Sequence, residues 1–197
     1  MVQAPTKLLT LAEFLELPET KPASEYIDGA VIQKPMPQGE HSTLQGDLVS
    51  SLNGALKPSK VARAYPELRC TYPSGSHPTD VYSGRSIVPD VSVFQWGQIP
   101  RQADGRVANT FNLAPDWTIE ILSPGQSQSK VIRNILHCLE CGTKMGWLLD
   151  SAESCIFVYD ATKSVQVFEA AEAKLPVPKF AQAVQLTVGE IFGWLKD

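Results

Sequence analysis

Two short apolar runs each carry one carboxylate near their centre, and no other feature of the 197-residue chain constrains its fold as tightly. The first is Val88-Pro89-Asp90-Val91-Ser92-Val93-Phe94, and the second is Trp117-Thr118-Ile119-Glu120-Ile121-Leu122-Ser123-Pro124. Both read as strands of an interior sheet, where an ionised carboxylate is costly unless it is paired or coordinated. Strand alternation puts Asp90, Ser92 and Phe94 on one face of the first strand, and Thr118, Glu120 and Leu122 on one face of the second. If the strands pair, their backbones lie about 4.8 Å apart and both carboxylates can converge on one ion. Mg²⁺ takes such oxygens, usually one or two of them with water and phosphate. The ion could then activate water and stabilise the leaving oxygen in phosphodiester hydrolysis. The competing account is that each carboxylate satisfies an arginine or a backbone amide. Asp116 lies about 13 Å before Glu120 on the same strand, at about 3.3 Å per residue, and belongs to the turn entering it.

Around these runs the chain alternates helices and strands. Thr10 and Glu13 form a capping box for a short first helix that ends before Pro18. Glu25 to Ile32 is a hairpin turning at Asp28-Gly29. Leu44, Leu48, Leu52 and Leu56 draw an apolar stripe at helical period over His41 to Leu56. Strands are expected at Val61 to Tyr72 and Ile87 to Phe94, with turn chemistry at Pro73-Ser74-Gly75-Ser76 and Ser83-Gly84. Gly97 to Asn112 reads as a mobile polar loop. A strand at Trp117 to Leu122 is followed by a helix from Ser127 to about Glu140, closed by Gly142 at C′. Met145 to Leu149 is almost wholly apolar, the pattern of a centrally buried strand. A hairpin over Cys155 to Tyr159 and Val165 to Phe168, a strand at Ala183 to Leu186 and a helix from Val188 to Leu195 complete a single α/β domain over residues 1–197.

Composition removes other classes. With 43% hydrophobic and 19% charged residues, the chain builds a core and is not disordered. A net charge of −4 disfavours a constitutive nucleic-acid coat protein but leaves open a nuclease that uses divalent cations. Four cysteines are too few for a secreted disulfide scaffold. There is no signal peptide pattern and no apolar run near the roughly 20 residues of a membrane span, so a soluble, cytoplasmic protein is expected.

The Pro89-Asp90 strand, the Glu120-Ile121-Leu122-Ser123-Pro124 strand end, the helix closed by Gly142 and the Gly146-Trp147-Leu148-Leu149-Asp150 strand stand in a definite order. Upstream are Glu25-Tyr26-Ile27-Asp28-Gly29 and, after a Pro-rich loop, His41. In this order and spacing, from about Leu11 to Phe192, the chain resembles the Uma-two-type putative restriction endonuclease family of the PD-(D/E)XK nuclease superfamily. The resemblance implies a restriction-endonuclease-like α/β fold, a mixed central β-sheet flanked by helices. It further implies an Mg²⁺-dependent endonuclease, with Mn²⁺ as a possible substitute, acting on DNA as a homodimer. Asp90 and Glu120 would be the metal ligands. Glu25 would stand beside the site and orient water, and His41 would contact the site or a substrate phosphate.

The superfamily pattern sets a lysine two residues beyond the glutamate, to orient or deprotonate the attacking water. Leu122 stands there in this chain. The family supplies the lysine from the following helix, where the matching position is Asn134. Lys130, one turn upstream on the same face, becomes the substitute candidate, whereas Arg133 points about 100° away. Lys130 could equally be a solvated first-turn lysine. With both lysine positions altered, the alternative is a catalytically degenerate nuclease-fold module that binds nucleic acid or a partner protein. A carboxylate-pair glycosidase fits less well, because Trp117, Trp147 and Trp194 sit in core-like patterns. Cys138 and Cys141 have a zinc-type gap without a second pair, so Cys138 reads as a core residue. His137 reads as solvated. Arg101 and Arg106 could touch a phosphate backbone, though an ordinary polar loop explains them.

Overall fold

The computed structural model describes residues 8–72 and 84–196. The Pro73–Ser76 turn and Ser83 lie outside the described residues. Helix α1 (Leu11–Leu15) begins with the expected capping box, in which the Thr10 and Glu13 side chains each accept from the other's backbone N–H. Strands β1 (Ser24–Ile27) and β2 (Ala30–Gln33) follow as a hairpin. Asp28 and Gly29 adopt φ of +47° and +91°, the left-handed pair that a two-residue turn requires. Helix α2 (Gly39–Leu56) comes next, with its four stripe leucines fully buried. Each such leucine contributes about 1.5–3 kcal/mol by leaving water.

Among the described residues, the sequence between Val61 and Phe94 supplies four strands rather than two. The first expected strand divides into β3 (Ala62–Pro66) and β4 (Cys70–Tyr72), and the second into β5 (Arg85–Ile87) and β6 (Val91–Gln95). In each case the two pieces join different sheets. The order β2-β1-β5-β4 forms a four-stranded antiparallel sheet. The second break falls at Val88-Pro89-Asp90, because Pro89 has no N–H and the amide of Val88 donates to the Glu25 side chain instead of to a strand. Asp90 therefore stands at the seam between the sheets and not in mid-strand.

The six-stranded sheet runs β10-β9-β8-β7-β6-β3, with β7 (Trp117–Ile121), β8 (Met145–Asp150), β9 (Cys155–Asp160) and β10 (Val165–Phe168). Only β7 and β8 pair in parallel, joined by the crossover helix α3 (Gln128–Glu140), so the sheet is mixed. Helix α2 packs on one face against Trp117, Ile119, Ile121 and Trp147. Helix α3 packs its Val131, Ile135 and Leu139 on Leu148 and Tyr159. A Cβ on Gly146 would overlap Ile135 Cγ2, so this glycine sets how closely α3 approaches β8. Asn53 of α2 covers the outer side of β3. Its Nδ2 donates to the Ala64 carbonyl and its Oδ1 accepts from the Ala64 amide, both at 3.0 Å.

Three further expectations differ. Gly97 to Asn112 is anchored, because Ile99 and Phe111 are buried and the Thr71 amide donates to the Phe111 carbonyl. Its polar composition concealed two apolar pins. Ala183 to Leu186 is not a strand. The Leu175 amide donates to the Leu186 carbonyl, and helix α4 (Val188–Gly193) starts at the Thr187 capping box. Cys138 is a core residue as expected, and its Sγ lies 3.2 Å from the Tyr72 hydroxyl. His137 is not simply solvated, since its ring packs edge-on against Tyr72. Among the described residues, no helix is long and apolar enough to cross a membrane.

Candidate active site

The β6–β7 pairing places the two carboxylates together. Val91 pairs with Ile119, so one step further along the antiparallel ladder sets Asp90 beside Glu120 on the same face. Both carboxylates are buried, and no arginine pairs with either among the described residues. Asp90 Oδ2 accepts from the Ile121 amide at 2.7 Å, which fixes the carboxylate and leaves Oδ1 turned inward. Helix α2 holds the Asp90 backbone, with Gln45 Nε2 donating to its carbonyl at 2.8 Å.

The cation that meets this pair is Lys34, which follows β2 directly. Its Nζ is 2.6 Å from Asp90 Oδ1 and 3.9 Å from Glu120 Oε2, and it also donates to the Val88 carbonyl at 2.7 Å. Burial alone would lower the Lys34 pKa, but Asp90, Glu120 and Glu25 outweigh it and hold the ammonium above its ordinary value. Lys34 is thus a charged donor and not a proton acceptor. Burial likewise disfavours ionised Asp90, yet Lys34 and His41 prevail and bring its pKa down to about 2. Glu120 goes the other way. Burial, with Asp90 and Glu25 nearby, raises its pKa well above the ordinary value despite Lys34.

Lys130 lines the cleft from α3, and among the described residues no ion pair joins it to Asp90 or Glu120. Asn134 is on the same cleft wall and donates to Glu25 Oε2 at 3.4 Å, while Leu122 packs beneath α3.

Glu25 is buried with its Oε1 accepting from the Val88 amide at 2.9 Å, and burial raises its pKa. It therefore ties the small sheet to the seam while one edge of its carboxyl faces the cleft. His41 lies against the site. Both ring nitrogens are engaged, Nε2 at 3.3 Å from Asp90 Oδ1 and Nδ1 at 3.1 Å from Ser123 Oγ. A buried ring held at both ends steadies Asp90. Asp116 accepts from both the amide and the side chain of Gln95, each at 2.8 Å, consistent with a turn residue.

Lys34 is the residue that sequence reasoning missed, although a signal existed. In the hairpin Glu25 pairs with Ile32, and alternation puts Lys34 on the same face as Ile32. The register of the Asp28-Gly29 turn thus already set a lysine beside Glu25.

Chemically, the donor set suits a hard divalent ion. Asp90 Oδ1 and Glu120 Oε2 both turn toward one cationic position, now held by the Lys34 ammonium. Among the described residues no cluster of three or more His, Cys, Asp or Glu side chains could hold a metal. The protein offers two carboxylates, and water and substrate would complete the shell, which is the habit of Mg²⁺ and not of structural zinc. Lys34 and Glu25 line a cleft of about 510 Å³ between the hairpin and the N-terminal half of α3, and the buried Asp90 and Glu120 stand behind Lys34, outside its lining.

A mixed sheet flanked by helices, with an Asp and a Glu on adjacent strands and a lysine between them, defines a nuclease-like α/β protein. The chain belongs to the Uma2 family, described as putative restriction endonuclease, whose family model matches residues 11–189. A crystal structure of a putative nuclease belonging to DUF820 from Anabaena variabilis is similar in both sequence and fold. It is 54% identical, with a TM-score of 0.88, over 95% of this chain and 99% of that one. No curated protein matches the chain.

Proposed function

We propose that the protein is a divalent-metal-dependent endonuclease that hydrolyses DNA phosphodiester bonds at Asp90, Glu120 and Lys34. The observation that carries this reading is the convergence of both buried carboxylates on the Lys34 ammonium, a residue that itself lines the cleft. Mg²⁺, or Mn²⁺ in its place, would be held by Asp90 and Glu120 and would supply Lewis-acid activation of water and of the leaving oxygen. Lys34 donates to a non-bridging phosphoryl oxygen and opposes the negative charge that grows there. His41 and the Ile121 amide keep Asp90 ionised and aimed, and Glu25 orients water at the cleft wall. Two copies of the chain would give a duplex one centre for each strand, so the working unit is a homodimer.

The test is nicking of supercoiled plasmid with Mg²⁺ and then Mn²⁺ by wild type, Glu120→Ala and Lys34→Ala. Removal of one preorganised charge-stabilising donor costs about 100-fold to 1,000-fold in rate, and Lys34→Ala is expected in that range. Glu120→Ala is expected to abolish cleavage. Wild-type protein that cuts with neither metal would overturn the proposal.

A further inference from the structure

We infer that Lys130 and Arg133 of α3, with Arg85 behind them, form a phosphate track that holds the DNA strand on the way to the Asp90–Glu120–Lys34 centre. The inference rests on the proposed nuclease reading and deepens it by assigning the substrate's backbone contacts. Its basis is where the charge lies. The whole chain has a net charge of −4, yet the cleft wall carries Lys34, Arg85, Lys130 and Arg133 against only Glu25 and Asp28. Of these acids, Asp28 is neutralised by Arg85 Nη2 at 3.0 Å, and Glu25 is turned to the Val88 amide.

Lys130 and Arg133 are the surplus. Both are exposed, and neither has an acidic partner within 4.0 Å among the described residues. They stand three positions apart, so they share one side of α3 about one turn from each other. Arg85 joins them from β5, its Nη1 donating to the Arg133 carbonyl at 3.5 Å. A lysine in the first turn of a helix opposes the helix dipole, so Lys130 does not serve the stability of α3. Across the cleft the hairpin sets Ile27 and Ile32 among its polar side chains, and these two offer bases an apolar contact. Phosphate on one side and apolar contact on the other is how a single polynucleotide strand is gripped without sequence readout.

The experiment is fluorescence anisotropy of a labelled single-stranded DNA oligonucleotide, and of its RNA counterpart, in EDTA over a range of KCl concentrations. EDTA separates binding from cleavage. Each lost phosphate contact lowers the slope of log K against log salt by about 0.7 for a single strand, so Lys130→Ala/Arg133→Ala is expected to flatten it by about 1.4. Affinity at low salt is expected to fall at least 10-fold. Lys130→Arg/Arg133→Lys should restore the slope, and Lys57→Ala, at the opposite end of α2 from the site, should leave it unchanged. A wild-type slope in the alanine double variant, or no oligonucleotide binding by wild type, overturns the inference. If wild type cuts plasmid and the double variant keeps the wild-type slope, the track fails and the nuclease reading stands. If the slope flattens as expected but wild type never cuts, the nuclease reading fails and the track stands.

Discussion

Lys34→Ala tests the electrostatics of the centre without any cleavage assay. The ammonium is the counter-ion of a carboxylate with only 3% side-chain exposure, at 2.6 Å, and it is itself 12% exposed. Removing one member of a buried pair costs about 3–5 kcal/mol, because the other charge is left unpaired. The interaction itself gives a similar figure, since two charges about 4 Å apart at an effective dielectric of about 20 attract by about 4 kcal/mol. With a urea m-value of about 2 kcal/mol/M, the unfolding midpoint in EDTA should fall by about 2 M. The loss should also depend on pH with a definite sign. In the wild type the Asp90 pKa is down at about 2, below its ordinary 3.8, so its stabilisation is complete above about pH 4 and disappears as pH falls toward 2. In the variant, burial is opposed only by His41 and the Ile121 amide, so the Asp90 pKa moves up and the deficit grows with rising pH. The gap between the two proteins should therefore be widest at pH 7 and shrink on acidification to pH 4. Equal midpoints at pH 7, or a gap that ignores pH, would refute the ion-pair account.

Three further outcomes follow from the same geometry. Glu120→Gln should stabilise the metal-free protein at pH 8 but not at pH 4, measured by thermal unfolding in EDTA. The raised Glu120 pKa means that wild-type stability is lost as pH climbs above 4.5, and glutamine removes that loss. His41→Ala should lower kcat while leaving KM for plasmid near the wild-type value, and His41→Asn should recover part of the rate, because the ring steadies Asp90 and does not contact DNA. Gly146→Ala should destabilise by about 1–3 kcal/mol through overpacking against Ile135, a fall of several degrees in Tm by calorimetry.

Residue pattern was enough for the carboxylates because their placement depends on strand pairing alone. Asp90 and Glu120 meet through the β6–β7 register, and alternation fixes their common face. The helices were legible for the same kind of reason, with the Leu44–Leu56 stripe and the α3 apolar face each turned to the six-stranded sheet. Two features escaped because a non-local interaction decided them. Strand pieces β5 and β6 are contiguous in type, and the Glu25–Val88 hydrogen bond works with Pro89 to separate them. Lys34 acquires its role from a sheet-to-sheet contact that spans 56 residues of sequence. His41 was legible as a residue near the site, whereas its partners there, Asp90 and Ser123, were not.

The seam at Val88-Pro89-Asp90 divides the centre between two carriers. Asp90 and Glu120 belong to the six-stranded sheet, whereas Lys34 and Glu25 ride on the hairpin edge of the four-stranded one. Integrity of the centre is thus a readout of docking between the sheets, and a small parting of the hairpin would disarm the site while both sheets stayed folded. Activity should accordingly fail before global structure as denaturant rises, with Lys34 withdrawn from the carboxylates as the first casualty. In the proposed nuclease, the wall that faces the substrate would also be the element that delivers the lysine.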